Sequence, residues 1–196
     1  MAAGGIASLS TVVSCSSSPD KTPVSGMTSV EDVEQPHAPS KGPQDAPQDW
    51  TSVNFSGISL SLLTSFKGPT RRSGWAPYIV SYDKQGSGSD VEQRVLLSGV
   101  DASTTADGIR QTANLMNSYL FENYSEISRV SWEADGDKPA TERIAFYWGP
   151  TSSWLGWTWL LASEVGTGTV TLLSTSLDDG LRNGIENSLT LTRRQQ

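Results

Sequence analysis

Residues 141–162 read TERIAFYWGPTSSWLGWTWLLA, and the fold is decided by how this stretch alternates. Ile144, Phe146 and Trp148 fall in one phase, and Arg143, Ala145 and Tyr147 in the other. A period of two is what a strand with two different faces imposes. After Gly149-Pro150 a second run extends from Trp154 to Ala162, with Trp157, Trp159 and Leu161 in phase. Two such runs separated by a short Gly/Pro/Ser segment predict a β-hairpin. Trp157 and Trp159 share a face, Trp148 is expected across the hairpin from them, and Trp154, beside the turn, is expected to be the exposed member.

Working outward, Thr169 to Ser174 is β-rich, and a helix follows in which Leu177, Leu181, Ile185 and Leu189 make one stripe. Ser176 with Asp179 reads as its cap. On the other side Ile127 to Trp132 predicts a strand, and Asp135-Gly136-Asp137 a turn. Glu133-x-Asp-x-Asp lacks the twelve-residue spacing and terminal Glu of a calcium loop, so it is read as that hairpin turn. From Thr105 to Asn123 the period changes: Ile109, Ala113, Met116 and Leu120 lie on one helical face, with Thr104 and Asp107 as a capping box. Earlier still, Val53–Phe55, Ile58–Leu62, Tyr78–Tyr82 and Val91–Leu97 predict strands, with turn signals at Gly68-Pro69 and Ser73-Gly74. Runs of strands joined by hairpin-length turns predict an α+β fold, a largely antiparallel sheet of about six to seven strands flanked by two helices.

This pattern occupies only part of the 196 residues: all seven Trp, five Tyr and four Phe lie at position 50 or later. Between Asp20 and Asp49 only Val24, Met27, Val30 and Val33, beside Ala38 and Ala46, interrupt a polar, Pro-rich stretch. Such a segment cannot bury enough apolar surface to offset its ordering entropy. The expected organisation is a leader-like segment at 1–14, a disordered tether at 15–49 and one domain at 50–196. Net charge is −7; residues 1–49 hold six acids and two bases, the remainder fifteen acids and twelve bases. That balance argues against a nucleic-acid partner.

One cysteine and one histidine limit the chemistry. His37, between Pro36 and Pro39 in the tether, has no second histidine near it, so neither a His-rich metal site nor a Ser-His-Asp or Cys-His mechanism is expected in the domain. Asp135/Asp137 and Asp178/Asp179 are explained by a turn and by a helix start, and Gly166-x-Gly168 is too short for a phosphate loop. No cofactor, metal or catalytic residue is expected.

Residues 2–13 are uncharged and small or apolar, and Val12-Val13-Ser14-Cys15 follows, as at a secretory cleavage site. This tetrad resembles the lipobox of bacterial lipoprotein precursors, which implies a diacylglycerol on Cys15 and cleavage before it. No Lys or Arg precedes Cys15, so the true start is expected upstream.

Three further segments carry a second resemblance. They are Trp50 to Leu62, ending in VNFSGISLSL; TERIAFYWG at 141–149; and TVTLLSTSLDDGLRNGIENSLTL at 169–191. Over about residues 50–191 the chain resembles the actinobacterial PsbP-like lipoproteins, the LpqN type among them. One feature departs from that pattern: Gly74-Trp75 follows Arg71-Arg72, whereas members often have a Pro-x-Gly-Trp turn directly after the first strand. The resemblance implies a PsbP-like α/β sandwich on the outside of the cell membrane, held by its lipid, with a non-catalytic binding or assembly-accessory role toward envelope proteins. The alternatives are a carrier of a small hydrophobic ligand and a carboxylate-dependent envelope hydrolase. The tryptophans Trp148, Trp154, Trp157 and Trp159 are then either bulky core or a surface for a partner or small apolar ligand.

Overall fold

The computed structural model describes residues 49–176 and 178–193. Cys15, the leader, His37, the tether up to residue 48, and Leu177 lie outside the described residues. The chain order is β1 (Trp50–Phe55), β2 (Ile58–Leu63), β3 (Lys67–Arg71), β4 (Val80–Gln85), β5 (Val91–Leu97), α1 (Ala106–Leu120), β6 (Ser125–Trp132), β7 (Ala140–Trp148), β8 (Trp154–Ser163), β9 (Gly166–Ser174), α2 (Asp179–Ser188) and β10 (Thr190–Leu191).

Seven strands form one sheet in the order β3-β4-β5-β9-β8-β7-β6, and β1-β2-β10 form a second, small one. The α+β sandwich expected from the sequence is present, with every strand pair antiparallel. On one face of the large sheet, Val95, Leu97, Trp157, Trp159, Leu161 and Leu172 pack with Ile58, Leu60 and Leu62 of β2 and with Leu181, Ile185 and Leu189 around α2. On the other face, Ile109 and Ala113 of α1 meet Ile144 and Leu160. Each strand of the centre is therefore buried on both sides, and β9 has no exposed residue.

Four local expectations are corrected. The α1 N-cap is Thr105, whose hydroxyl accepts from the Gly108 backbone N–H at 3.1 Å. The Thr104 hydroxyl donates instead to Asp101. The α2 N-cap is Asp178, which accepts from Leu181 N–H at 2.9 Å; a carboxylate there also suits the helix dipole better than the Ser176 hydroxyl. Gly68-Pro69, read as a turn, lies inside β3, where a register shift falls between Lys67 and Thr70. An edge strand tolerates a residue without an N–H, and all five residues of β3 are exposed. Finally, Asn117 is a fully buried position of α1 within the stripe read from apolar residues alone.

The β7–β8 hairpin shows how the sheet fits its own side chains. Phe146 faces Gly156 across the strands, and a Cβ on Gly156 would stand 2.3 Å from the Phe146 ring. The glycine leaves room for an aromatic ring to lie over the neighbouring backbone.

Candidate binding surface

The four tryptophans singled out by their spacing divide between two faces. Trp157 and Trp159 are 3% and 0% exposed and belong to the core beneath β2 and α2. They are not available to a partner. Trp148 does not lie opposite them. In the register of the hairpin Trp148 pairs with Trp154, whereas Trp157 pairs with Ala145 and Trp159 with Arg143. Side chains alternate along a strand, so Trp148 and Trp154 project from the α1 face and Trp157 and Trp159 from the other.

Trp148 and Trp154 are both half-buried. Their ring centroids are 4.9 Å apart at 65°, an edge-to-face pair, the arrangement favoured by the aromatic quadrupole. Trp148 is anchored: its indole N–H donates to Leu155 O at 3.0 Å, and its ring meets Phe121, which stacks on Phe146. Trp154 lies on the backbone of Gly149, where a Cβ would stand 2.3 Å from its ring. Gly149 has φ +89°, a second reason for glycine. Among the described residues the Trp154 indole N–H has no hydrogen-bond partner, so it is free to donate to a bound molecule.

The turn that carries this pair is fastened to the segment after α1. Gly149 N–H donates to Glu122 O at 2.8 Å, and the Asn123 amide donates to Gly149 O at 3.2 Å and Pro150 O at 3.3 Å. An aromatic pair on a backbone held this way loses little freedom on binding.

The carboxylates have structural partners. Glu142, nearly buried, takes Arg110 Nε at 2.7 Å on one oxygen and Arg129 on the other. Glu186 takes Arg143 and the Trp159 indole. Asp83 sits between Arg72 at 2.7 Å and Arg94 at 2.8 Å; burial pushes its carboxyl upward, but the two guanidiniums outweigh this and hold it below the ordinary value. Asp179 pairs with Arg182, and the backbones of Asp135 and Lys138 bond to each other in the turn. Among the described residues no three His, Cys, Asp or Glu are placed to hold a metal ion. Nor is any helix there long and apolar enough to cross a membrane.

One cleft, of about 460 Å³, opens between the start of α1 and the end of β5. Val100 and Ile109 share its wall with the hydroxyls of Ser98, Thr112 and Thr167 and with Asp101. The Ser103 and Thr104 hydroxyls hold the Asp101 carboxyl at about 2, so this wall is charged across the physiological range. Pro77, Ile79 and Ala102 add apolar surface to the same cleft, so its lining is mixed and a ligand there would meet the Asp101 carboxylate beside aliphatic groups.

Among solved structures the chain is similar to the solution structure of cyanobacterial PsbP (CyanoP) from Synechocystis sp. PCC 6803. The TM-score is 0.54 over 79% of this chain and 100% of that one, at 12% identity. The fold is PsbP-like. No family model matches the sequence, and no curated protein does. What binds to the sandwich depends on the side chains described above.

Proposed function

We propose that this protein is a non-catalytic binding or assembly-accessory module of the cell envelope, of the LpqN-type lipoprotein kind, anchored through a lipid on Cys15. The observation that carries the reading is the Trp148–Trp154 pair: two half-buried indoles, one with an unused N–H, on a hairpin pinned to the segment after α1. Aromatic anchors of this type concentrate where proteins grip partners. The arginine partners of Glu142, Glu186 and Asp83 support a structural use of the carboxylates over a hydrolytic one. The Asp101 carboxylate in the mixed lining of the cleft counts against a purely apolar carried ligand.

Two measurements test separate halves of the reading. Intact-mass analysis of the protein from its own host, with palmitate labelling, is expected to show a diacylglycerol-modified Cys15 at the mature N-terminus; an unmodified thiol removes the anchor. Affinity capture from native envelope with the wild-type chain and with Trp154→Ala is expected to lose a specific partner in the variant. An unchanged partner set, with an unchanged fold, removes the aromatic surface.

A further inference from the structure

Around Asp83 the cations outnumber the acids. Its carboxylate, on β4, takes Arg94 of β5 through Nε at 2.8 Å and Nη2 at 2.9 Å, and Arg72 through Nη2 at 2.7 Å. Arg72 Nε donates to the Ser81 hydroxyl at 2.8 Å. One carboxylate thus serves two guanidiniums, which leaves one positive charge over. The three side chains are only 21–22% exposed, so that charge is partly stripped of water. Nη1 of each arginine has no hydrogen-bond partner among the described residues, and neither is sealed from solvent. The Arg110–Arg129 cluster is the reverse case, two guanidiniums among three carboxylates, Asp107, Glu126 and Glu142.

This cluster adjoins the aromatic surface. The Trp75 ring lies 5.8 Å from the Arg94 guanidinium carbon, a cation–π contact. Trp75 and Trp148 both pack against the buried cluster that holds Leu96, Phe121, Phe146 and Leu173. Arg94 pairs with Leu173, and Leu173 with Gly156. Trp154 is two residues from Gly156, so Arg94 and Trp154 project from the same face of the sheet. Two strand spacings across and two residues along put their Cα atoms about 12 Å apart.

We propose that Arg72 and Arg94 accept a carboxylate from the same partner segment that meets Trp154, an extended peptide with an aspartate or glutamate three or four residues from its apolar contact. The inference rests on the Trp148–Trp154 surface being a binding site. Charge selects the occupant. A surplus of one is matched by one carboxylate, whose two oxygens suit the guanidinium fork; a phosphate dianion would overcompensate it. The spacing follows from the roughly 3.3–3.4 Å advance per residue of an extended chain. Lys67 and Arg71, exposed on β3, add positive potential at this edge, and Glu92 is taken up by Lys84 at 3.7 Å. In a chain of net charge −7, this edge is where an acidic segment is attracted and not repelled.

A synthetic probe, acetyl-Leu-Ser-Ser-Ser-Glu-amide, titrated into the full-length chain with Cys15→Ser and followed by NMR, tests this. The Nε–H signals of Arg72 and Arg94 and the indole N–H signals of Trp75 and Trp154 are expected to move together. The same peptide ending in Gln is expected to bind roughly three- to tenfold more weakly, and added salt to narrow that gap. Arg72→Gln is expected to remove the preference for Glu. Asp83→Asn reverses the sign: it doubles the surplus charge and is expected to tighten the Glu peptide several-fold, which a variant that merely loosened the fold would not do. Equal affinity for the two peptides, with Trp154 still shifted, overturns the proposal and leaves the aromatic surface standing. No response at Trp154 to either peptide overturns both. A response of Arg72 and Arg94 to phosphatidylglycerol vesicles and not to the Glu peptide overturns the choice of occupant, and the proposal with it.

Discussion

The indole nitrogen of Trp159 donates to Glu186 Oε2 at 2.9 Å, and Arg143 Nη1 reaches the same oxygen at 2.8 Å. The three side chains join the centre of the large sheet to α2, and all are buried. The Arg143 guanidinium also lies 5.2 Å from the Trp132 ring, a cation–π contact on its second side.

The consequence of this arrangement depends on which partner is removed. Glu186→Ala leaves the Arg143 charge buried and is expected to cost about 3–5 kcal/mol. Replacing both, as Arg143→Met with Glu186→Leu, removes both buried charges and is expected to recover most of that loss. Urea unfolding of the two singles and the double measures it. Additive losses in the double variant would show that the two residues act independently.

A second junction joins β1 to α2. The Trp50 ring packs against α2 at Gly184, where a Cβ would stand 1.9 Å from Cη2. Alanine is favoured over glycine inside a helix by roughly 1 kcal/mol, so propensity alone predicts that Gly184→Ala stabilises. The contact predicts the opposite, a loss of about 1–3 kcal/mol from overpacking. Trp50→Leu is expected to make the same substitution harmless, and thermal unfolding of the three variants distinguishes the two signs.

The parts of the fold that are legible in the sequence are those with a local period. The alternation in β7 and β8 and the stripe of Leu181, Ile185 and Leu189 need only neighbours in sequence to be read. How the tryptophan cluster divides between core and surface depends on strand register, and the expected place of Trp148 opposite Trp157 and Trp159 fails on that point. Trp154 and Trp157 are three residues apart, an odd separation that places them on opposite faces, and the pairing of Trp148 with Trp154 follows from the closure of the turn between them. The small sheet was not legible, since β10 is two residues long and pairs with β2 more than 120 residues away. The partners of Glu142 and Glu186 lie on other elements, at distances in sequence that no local pattern reports.

Trp148 and Trp154 differ in what they do for the domain. Trp148 carries the hydrogen bond to Leu155 and the contact with Phe121; Trp154 carries neither. Trp148→Ala is expected to cost near the lower end of the roughly 3–5 kcal/mol seen for large aromatic truncations, and Trp154→Ala clearly less. Chemical denaturation of both variants gives the order. Equal losses would mean that Trp154 is spent on stability and is not reserved for a partner.

Tyr78 gives the fold a defined alkaline limit. Its hydroxyl lies 2.6 Å from the Thr171 hydroxyl, which lies 2.7 Å from Thr158, beneath α1. Burial pushes the phenol up to about 12 against the downward pull of these two threonines. Below pH 10 the phenol is protonated in both folded and unfolded chains, so its contribution is fully present. Between about pH 10 and 12 the unfolded chain loses this proton while the folded chain keeps it, and stability falls by up to roughly 1.4 kcal/mol per pH unit. Tyr82 and Tyr124 are displaced in the same direction by burial and steepen the fall. Tyr78→Phe is expected to be less stable at pH 7, through loss of the bond to Thr171, yet to have a shallower decline between pH 10 and 12. Denaturant midpoints across that window check the slope; parallel curves for the two proteins would mean that Tyr78 ionises as easily in the folded chain as in water.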